Sequence, residues 1–140
     1  MRVLLDSNAY SQLMRGREQV SGIVRSAEEV LLSAVALGEL LHGFRHGSRY
    51  ERNVRQMRAF LDNPYVSLVT VGATTADRYS RIAASLRAKG HPLPTNVVWI
   101  AAHAMETGAD LVSGDRRFEH VDGIAWVRVK GERRPVWPTV

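Results

Sequence analysis

Apolar residues along this chain fall into two alternating patterns. Short runs, nearly free of polar interruption, are separated by longer stretches in which apolar residues recur every three or four positions. The short runs are Arg2–Leu5 (RVLL), Glu29–Ser33 (EVLLS), the alternating Val66–Val71 (VSLVTV), Asp110–Ser113 (DLVS) and Ile124–Val129. Runs of this length bounded by turn formers predict strands. The longer stretches predict helices. Residues 8–15 and 18–27 form two short ones broken near Gly16, with Val20, Ile23, Val24 and Ala27 inward in the second. Ser33 is placed to cap a third, striped by Leu37, Leu40, Leu41 and Phe44, and Val54, Met57, Phe60 and Leu61 mark a fourth that Pro64 ends. Thr74 and Thr75 are placed to cap a fifth that carries Tyr79, Ile82 and Leu86 inward and stops at Gly90, and Asn96 to cap a sixth closed by Gly108. A short turn of helix follows at Arg116 to His120.

Strands alternating with helices through short loops predict a mainly parallel sheet between helical layers. No repeat, low-complexity tract or linker divides the chain, so residues 1–130 read as one domain. Residues 131–140 read as a C-terminal tail, loose or interface-forming, with Trp137 available to pin it.

Composition narrows the class without naming it. With 140 residues, 45% hydrophobic and 24% charged, the chain is long enough for a core and too apolar for disorder. No apolar run approaches the ~20 residues that a membrane span needs. Met1 leads straight into a strand, which leaves no room for a signal peptide. With no cysteine there is no disulfide framework and no thiolate metal site. The expectation is a cytoplasmic protein without membrane contact. Net charge is +5, and of the 19 cations only Lys89 and Lys130 are not arginine. Arginine's fork matches phosphates and carboxylates, so an acidic partner or nucleic acid fits; coding bias accounts for the arginines equally well.

The candidate chemistry lies at strand ends. Asp6 ends the first strand and is followed by Ser7 and Asn8, two turn and cap formers, and Asp115 follows the strand 110–113 in the same manner. Acids at the carboxyl ends of buried strands sit where open α/β sheets bind ligands, so the two predict a shared carboxylate site. Glu39, early in the third helix, reads by itself as a solvated glutamate. Arg45, His46, Arg49, Arg52, Arg55 and Arg58 make one basic helical face, a solvated surface or a phosphate footprint.

Four blocks carry a resemblance: LLDSN at 4–8, ALGELLHG at 36–43, PTN–VWIAAH at 94–103 and LVSGDRRF at 111–118. Together, in this order and spacing, they resemble a PIN domain, and more closely the VapC-type toxins of prokaryotic toxin–antitoxin pairs. The resemblance spans nearly the whole chain. It implies a three-layer α/β/α PIN-like fold with a central, mainly parallel sheet of four to five strands. It implies a metal-dependent endoribonuclease using Mg2+ or Mn2+, with Asp6, Glu39 and Asp115 as catalytic and metal-holding acids. Asn8, Ser113, Asn96 and Arg116 match supporting positions. The implied partners are an RNA substrate, a VapB-type antitoxin and a second copy of the chain, with DNA reached only through the antitoxin. Leu37, Leu41 and Phe44 are candidates for the antitoxin groove, and Trp99 with the helix 74–89 for the dimer contact.

One position departs from the pattern. The resemblance implies an aspartate where this chain has Val97, and valine ligates no metal. Arg117 stands where relatives often carry an acid. Three carboxylates fall short of two divalent ions, so one weakly held ion is expected. Either the valine disarms or weakens a toxin, or the chain is a degenerate PIN-fold module that engages antitoxin or RNA without turnover. Other strand-end aspartate enzymes fit less well: a haloacid-dehalogenase-type phosphatase needs a second aspartate where Asn8 stands, and a receiver domain an acidic pair.

Overall fold

The computed structural model describes residues 1–131; the tail expectation falls on 132–140, outside the described residues except for Gly131. Five strands form one parallel sheet: β1 (Arg2–Leu5), β2 (Glu29–Ser33), β3 (Val66–Val69), β4 (Asp110–Ser113) and β5 (Trp126–Arg128). Their spatial order is β3-β2-β1-β4-β5, so the first strand of the chain is the middle of the sheet. Six helices intervene: α1 (Ser7–Met14), α2 (Glu18–Ser26), α3 (Ala34–His46), α4 (Tyr50–Asp62), α5 (Ala73–Ala88) and α6 (Thr95–Thr107). The result is three layers, α/β/α.

Burial explains the sequence of each strand. Val3, Leu4 and Leu5 of β1 are 0% exposed, because helices cover both faces of a parallel sheet and a central strand then has no wet side. β3, at the edge, departs from the alternation its sequence suggests: Val66 and Val69 are half-buried, while Ser67 and Leu68 are both exposed. The third helix keeps Ala36, Leu40 and Phe44 in the core, so Phe44 is enclosed and Leu37 and Leu41 are only half-buried. Phe44 is thus unavailable to line a groove.

Helix ends differ from the expected caps at three places. Asp6 itself caps α1, its Oδ1 accepting from the Ala9 amide at 2.9 Å, with Ser7 already helical. Gly72 precedes α5, and Thr75 Oγ1 accepts from the Gly72 amide at 3.0 Å. Pro94 precedes α6, which frees the Asn96 side chain for other work. Ser33 caps α3 as expected, and Gly108, at φ 68, ends α6 in the left-handed region where glycine meets no steric penalty. No helix of the described residues is long and apolar enough to cross a membrane.

Candidate active site

β1 and β4 lie side by side in register, Leu5 opposite Val112. The residue after each pair is therefore brought next to its counterpart: Asp6 beside Ser113. Ser113 is fully buried and donates its hydroxyl to Asp6 Oδ2, while the same Oγ accepts from the Asp115 amide at 2.9 Å. Asp6 is only 5% exposed. Burial pushes its carboxyl up to about 6; the bonds from Ser113 and Ala9 pull the other way, and the charges of Asp115 and Glu39 add to the rise.

The chain around these strand ends encloses a cleft of about 370 Å³. Asp6, Glu39 and Asp115 all line it, so residues far apart in sequence share one cavity. Asn8, Asn96, Val97, Arg116 and Arg117 line it too, and Ser113 stands behind it. Val97, in the first turn of α6, is 2% exposed and puts an apolar wall where a fourth acid was expected. Asn96 Nδ2 donates to Glu39 Oε2 at 2.8 Å across the cleft. The other oxygen, Glu39 Oε1, is buried with no hydrogen-bond partner among the described residues.

Asp115 is held from its own loop. Arg117 Nε lies 3.0 and 3.1 Å from its two carboxylate oxygens, Arg117 Nη2 2.7 Å from Oδ2, and the Arg117 amide 3.0 Å from Oδ1. Burial pushes the Asp115 carboxyl up, but the side-chain and backbone donors of Arg117 outweigh it and hold the carboxyl below its usual range. The guanidinium in turn feels the Glu39 charge. Arg116 reaches the cleft with an exposed residue and no such bond.

Two supports were not singled out from the sequence. Arg117 was noted only for lacking a carboxylate. Gln12 is 3% exposed, donating to Asn8 Oδ1 at 2.8 Å and the Lys130 carbonyl at 3.1 Å. The i, i+4 spacing of Asn8 and Gln12 on α1 was the available signal.

One buried and two half-buried acids facing one cavity, with a carboxylate oxygen of Glu39 buried and unsatisfied, fit a hard divalent cation, which takes oxygen ligands. As the side chains stand, no group of three His, Asp or Glu among the described residues is close enough to hold an ion.

The PIN domain family model matches residues 3–124. The chain belongs to the PIN domain family. Among its relatives, Ribonuclease VapC1 of Haemophilus influenzae (strain R2866) is 25% identical over 132 residues, covering 90% of this chain and 96% of that protein. The tRNA(fMet)-specific endonuclease VapC of Shigella flexneri is 29% identical over 97 residues, covering 69% and 72%. Among solved structures, VapBC2 from Rickettsia felis bound to a promoter DNA fragment has a chain that superposes with a TM-score of 0.80 at 19% identity, covering 92% of this PIN domain chain and 99% of that one. That last likeness is one of fold. It places the five-stranded parallel sheet among VapC-like architectures.

Proposed function

We infer that this PIN domain is an endoribonuclease toxin of the VapC kind, dependent on Mg2+ or Mn2+ and weakened by Val97. The observation that carries the reading is the convergence of Asp6, Glu39 and Asp115 on one cleft, with Glu39 Oε1 buried and unpartnered. Asp6 and Glu39 are the natural holders of an ion, and Asp115 completes the acidic set. A bound divalent ion supplies a Lewis acid for the phosphodiester and lowers the pKa of a water. The chain's own groups do the positioning: Ser113 orients Asp6 and ties it to the Asp115 amide, and Asn96 orients Glu39. Asn8 lines the approach, fixed by Gln12. The exposed arginine face of α4 and the net charge of +5 suit a polyanionic substrate.

The partners follow from the same reading: RNA as substrate, a VapB-type antitoxin as inhibitor, a second copy of the chain, and DNA only through the antitoxin, all in the cytoplasm. Trp99, whose ring lies 4.1 Å from that of Tyr79 between α5 and α6, remains the candidate dimer contact.

Val97→Asp tests the reading. An aspartate there adds a charge in the first turn of α6, where the helix dipole favours it. The variant is expected to bind Mn2+ more tightly by calorimetry and to cleave a panel of tRNA, ribosomal RNA and messenger RNA faster than the parent. A folded, Mn2+-bound Val97→Asp chain that leaves the whole panel intact sinks the assignment. The second reading, a binding module without turnover, rests on Val97 itself. It predicts antitoxin capture independent of metal together with an inert revertant.

A further inference from the structure

We propose that Arg117 takes the place of a second metal ion: the cleft holds one divalent cation on Asp6 and Glu39, while Asp115 is committed to the Arg117 guanidinium. The proposal rests on the nuclease reading above and assigns the ligands within it.

Hydrogen-bond capacity comes first. A carboxylate offers about four lone-pair positions on its two oxygens. Four contacts from Arg117 fall on Asp115, two on each oxygen, at 2.7 to 3.1 Å. These contacts come from three N–H groups, the single Nε hydrogen being shared between the two oxygens, so most of the acceptor capacity of Asp115 is taken while the fork stays in place. Asp6 and Glu39 differ. Glu39 has one oxygen buried and unpartnered, and Asp6 receives one donor on each oxygen. Among the described residues, the one buried acidic oxygen of the cleft without a partner therefore belongs to Glu39, and Asp6, lining the same cleft, retains lone pairs.

Charge favours the same division. Three carboxylates and the guanidinium groups of Arg116 and Arg117 line the cleft, so one divalent ion leaves it within one charge of neutrality, whereas two leave it strongly positive. The missing fourth acid and the added arginine thus act in the same direction and together stand in for the two charges of a second ion: Val97 removes a negative charge that ion would need, and Arg117 supplies a fixed positive one. A planar fork on a carboxylate is the arrangement for which arginine is better suited than lysine. Arg117 Nη1 makes no bond to Asp115, and the side chain is 48% exposed, so donors remain for a phosphate oxygen in the cleft.

The test is Mn2+ binding by the full chain, read by calorimetry and by the electron paramagnetic resonance signal of free Mn2+. The parent is expected to take one ion. Asp6→Asn and Glu39→Gln should each abolish uptake, whereas Asp115→Asn should change the dissociation constant by less than about three-fold. Arg117→Ala frees Asp115 and should tighten binding about ten-fold. The same change made in Asp115→Asn should do nothing, because the arginine acts through that carboxylate. Arg117→Lys, which keeps the charge and loses the fork, should fall between, and circular dichroism checks that each variant is folded. Two ions in the parent, an Asp115→Asn as inert as Asp6→Asn, or an Arg117→Ala with unchanged affinity would each overturn the proposal while leaving a metal site in place. Failure of every variant, Val97→Asp included, to take up Mn2+ would instead remove the nuclease reading beneath it.

Discussion

Ser113 connects two acids with one hydroxyl, donating to Asp6 and accepting from the Asp115 amide. Its position follows from strand register, since Leu5 faces Val112 and the next residues must then meet. A buried hydrogen bond to a charged group contributes about 1.5–3 kcal/mol. Ser113→Ala should therefore lower the urea-unfolding free energy by about that amount, and metal affinity should fall roughly 10–100-fold, as for other groups that orient ligands. Asn96→Ala should cause a similar loss of affinity through Glu39 with a smaller change in stability, because Asn96 is only half-buried. The acids themselves were legible at this scale, Asp6 most plainly, because an apolar run that ends in a carboxylate is an unusual local event. Glu39 read alone as a surface glutamate; only the fold turns it toward α6 and Asn96. The role of Arg117 was not legible. The short helix Arg116–His120 was legible, but not that Asp115 would cap it and so bring the Arg117 amide and guanidinium onto one carboxylate.

Helices and strands were placed well by periodicity, but their ends were decided by competition among nearby side chains. Asp6, Ser7 and Asn8 all suit an N-cap, and Asp6 wins because it is the residue still extended at the end of β1. The same competition hid His103, which is fully buried on α6 and looked like one more residue of an apolar helix. The Thr70 carbonyl can only accept, so His103 Nε2 carries the proton at 3.1 Å, and Nδ1 accepts from the Ser33 hydroxyl at 2.8 Å. This neutral ring joins α6 to the ends of β2 and β3. Burial holds its pKa below 6.5, with Thr70 and Glu106 acting in the opposite sense. A base depressed in the folded state is protonated first in the unfolded one, so its contribution is intact above about pH 6.5 and is lost as pH falls below it. The stability advantage of the parent over His103→Asn should thus shrink in urea titrations taken from about pH 7.5 to about pH 5. The loop after β4 is equally constrained. A methyl group on Gly114 would stand 2.6 Å from Gly131 Cα, backbone against backbone. Gly114→Ala should melt several degrees lower than the parent, whereas Gly38→Ala, inside α3 with nothing within 4 Å of the added methyl, should melt no lower than the parent.

At the scale of the molecule, the alternation of strands and helices made a parallel α/β sheet legible, and the mostly apolar run Arg2–Leu5 pointed to a buried strand. The order β3-β2-β1-β4-β5 was not, because apolar patterns say which strands are buried and not which of them pair. The two edges are also the strands whose length was overread: VSLVTV contributes Val66–Val69, and 124–129 contributes Trp126–Arg128. Pairing the first strand with the fourth has a consequence for biosynthesis. β1 is the first of the five strands to be made, yet its neighbour on one side, together with Ser113 and Asp115, emerges only after more than a hundred further residues. Until then Asp6 lacks the hydroxyl that orients it, and the sheet lacks two of its five strands. A chain that stops short of β4 accordingly lacks the hydroxyl and the second aspartate of the cleft together with two strands of the sheet, so the candidate site and the complete sheet appear at the same late moment.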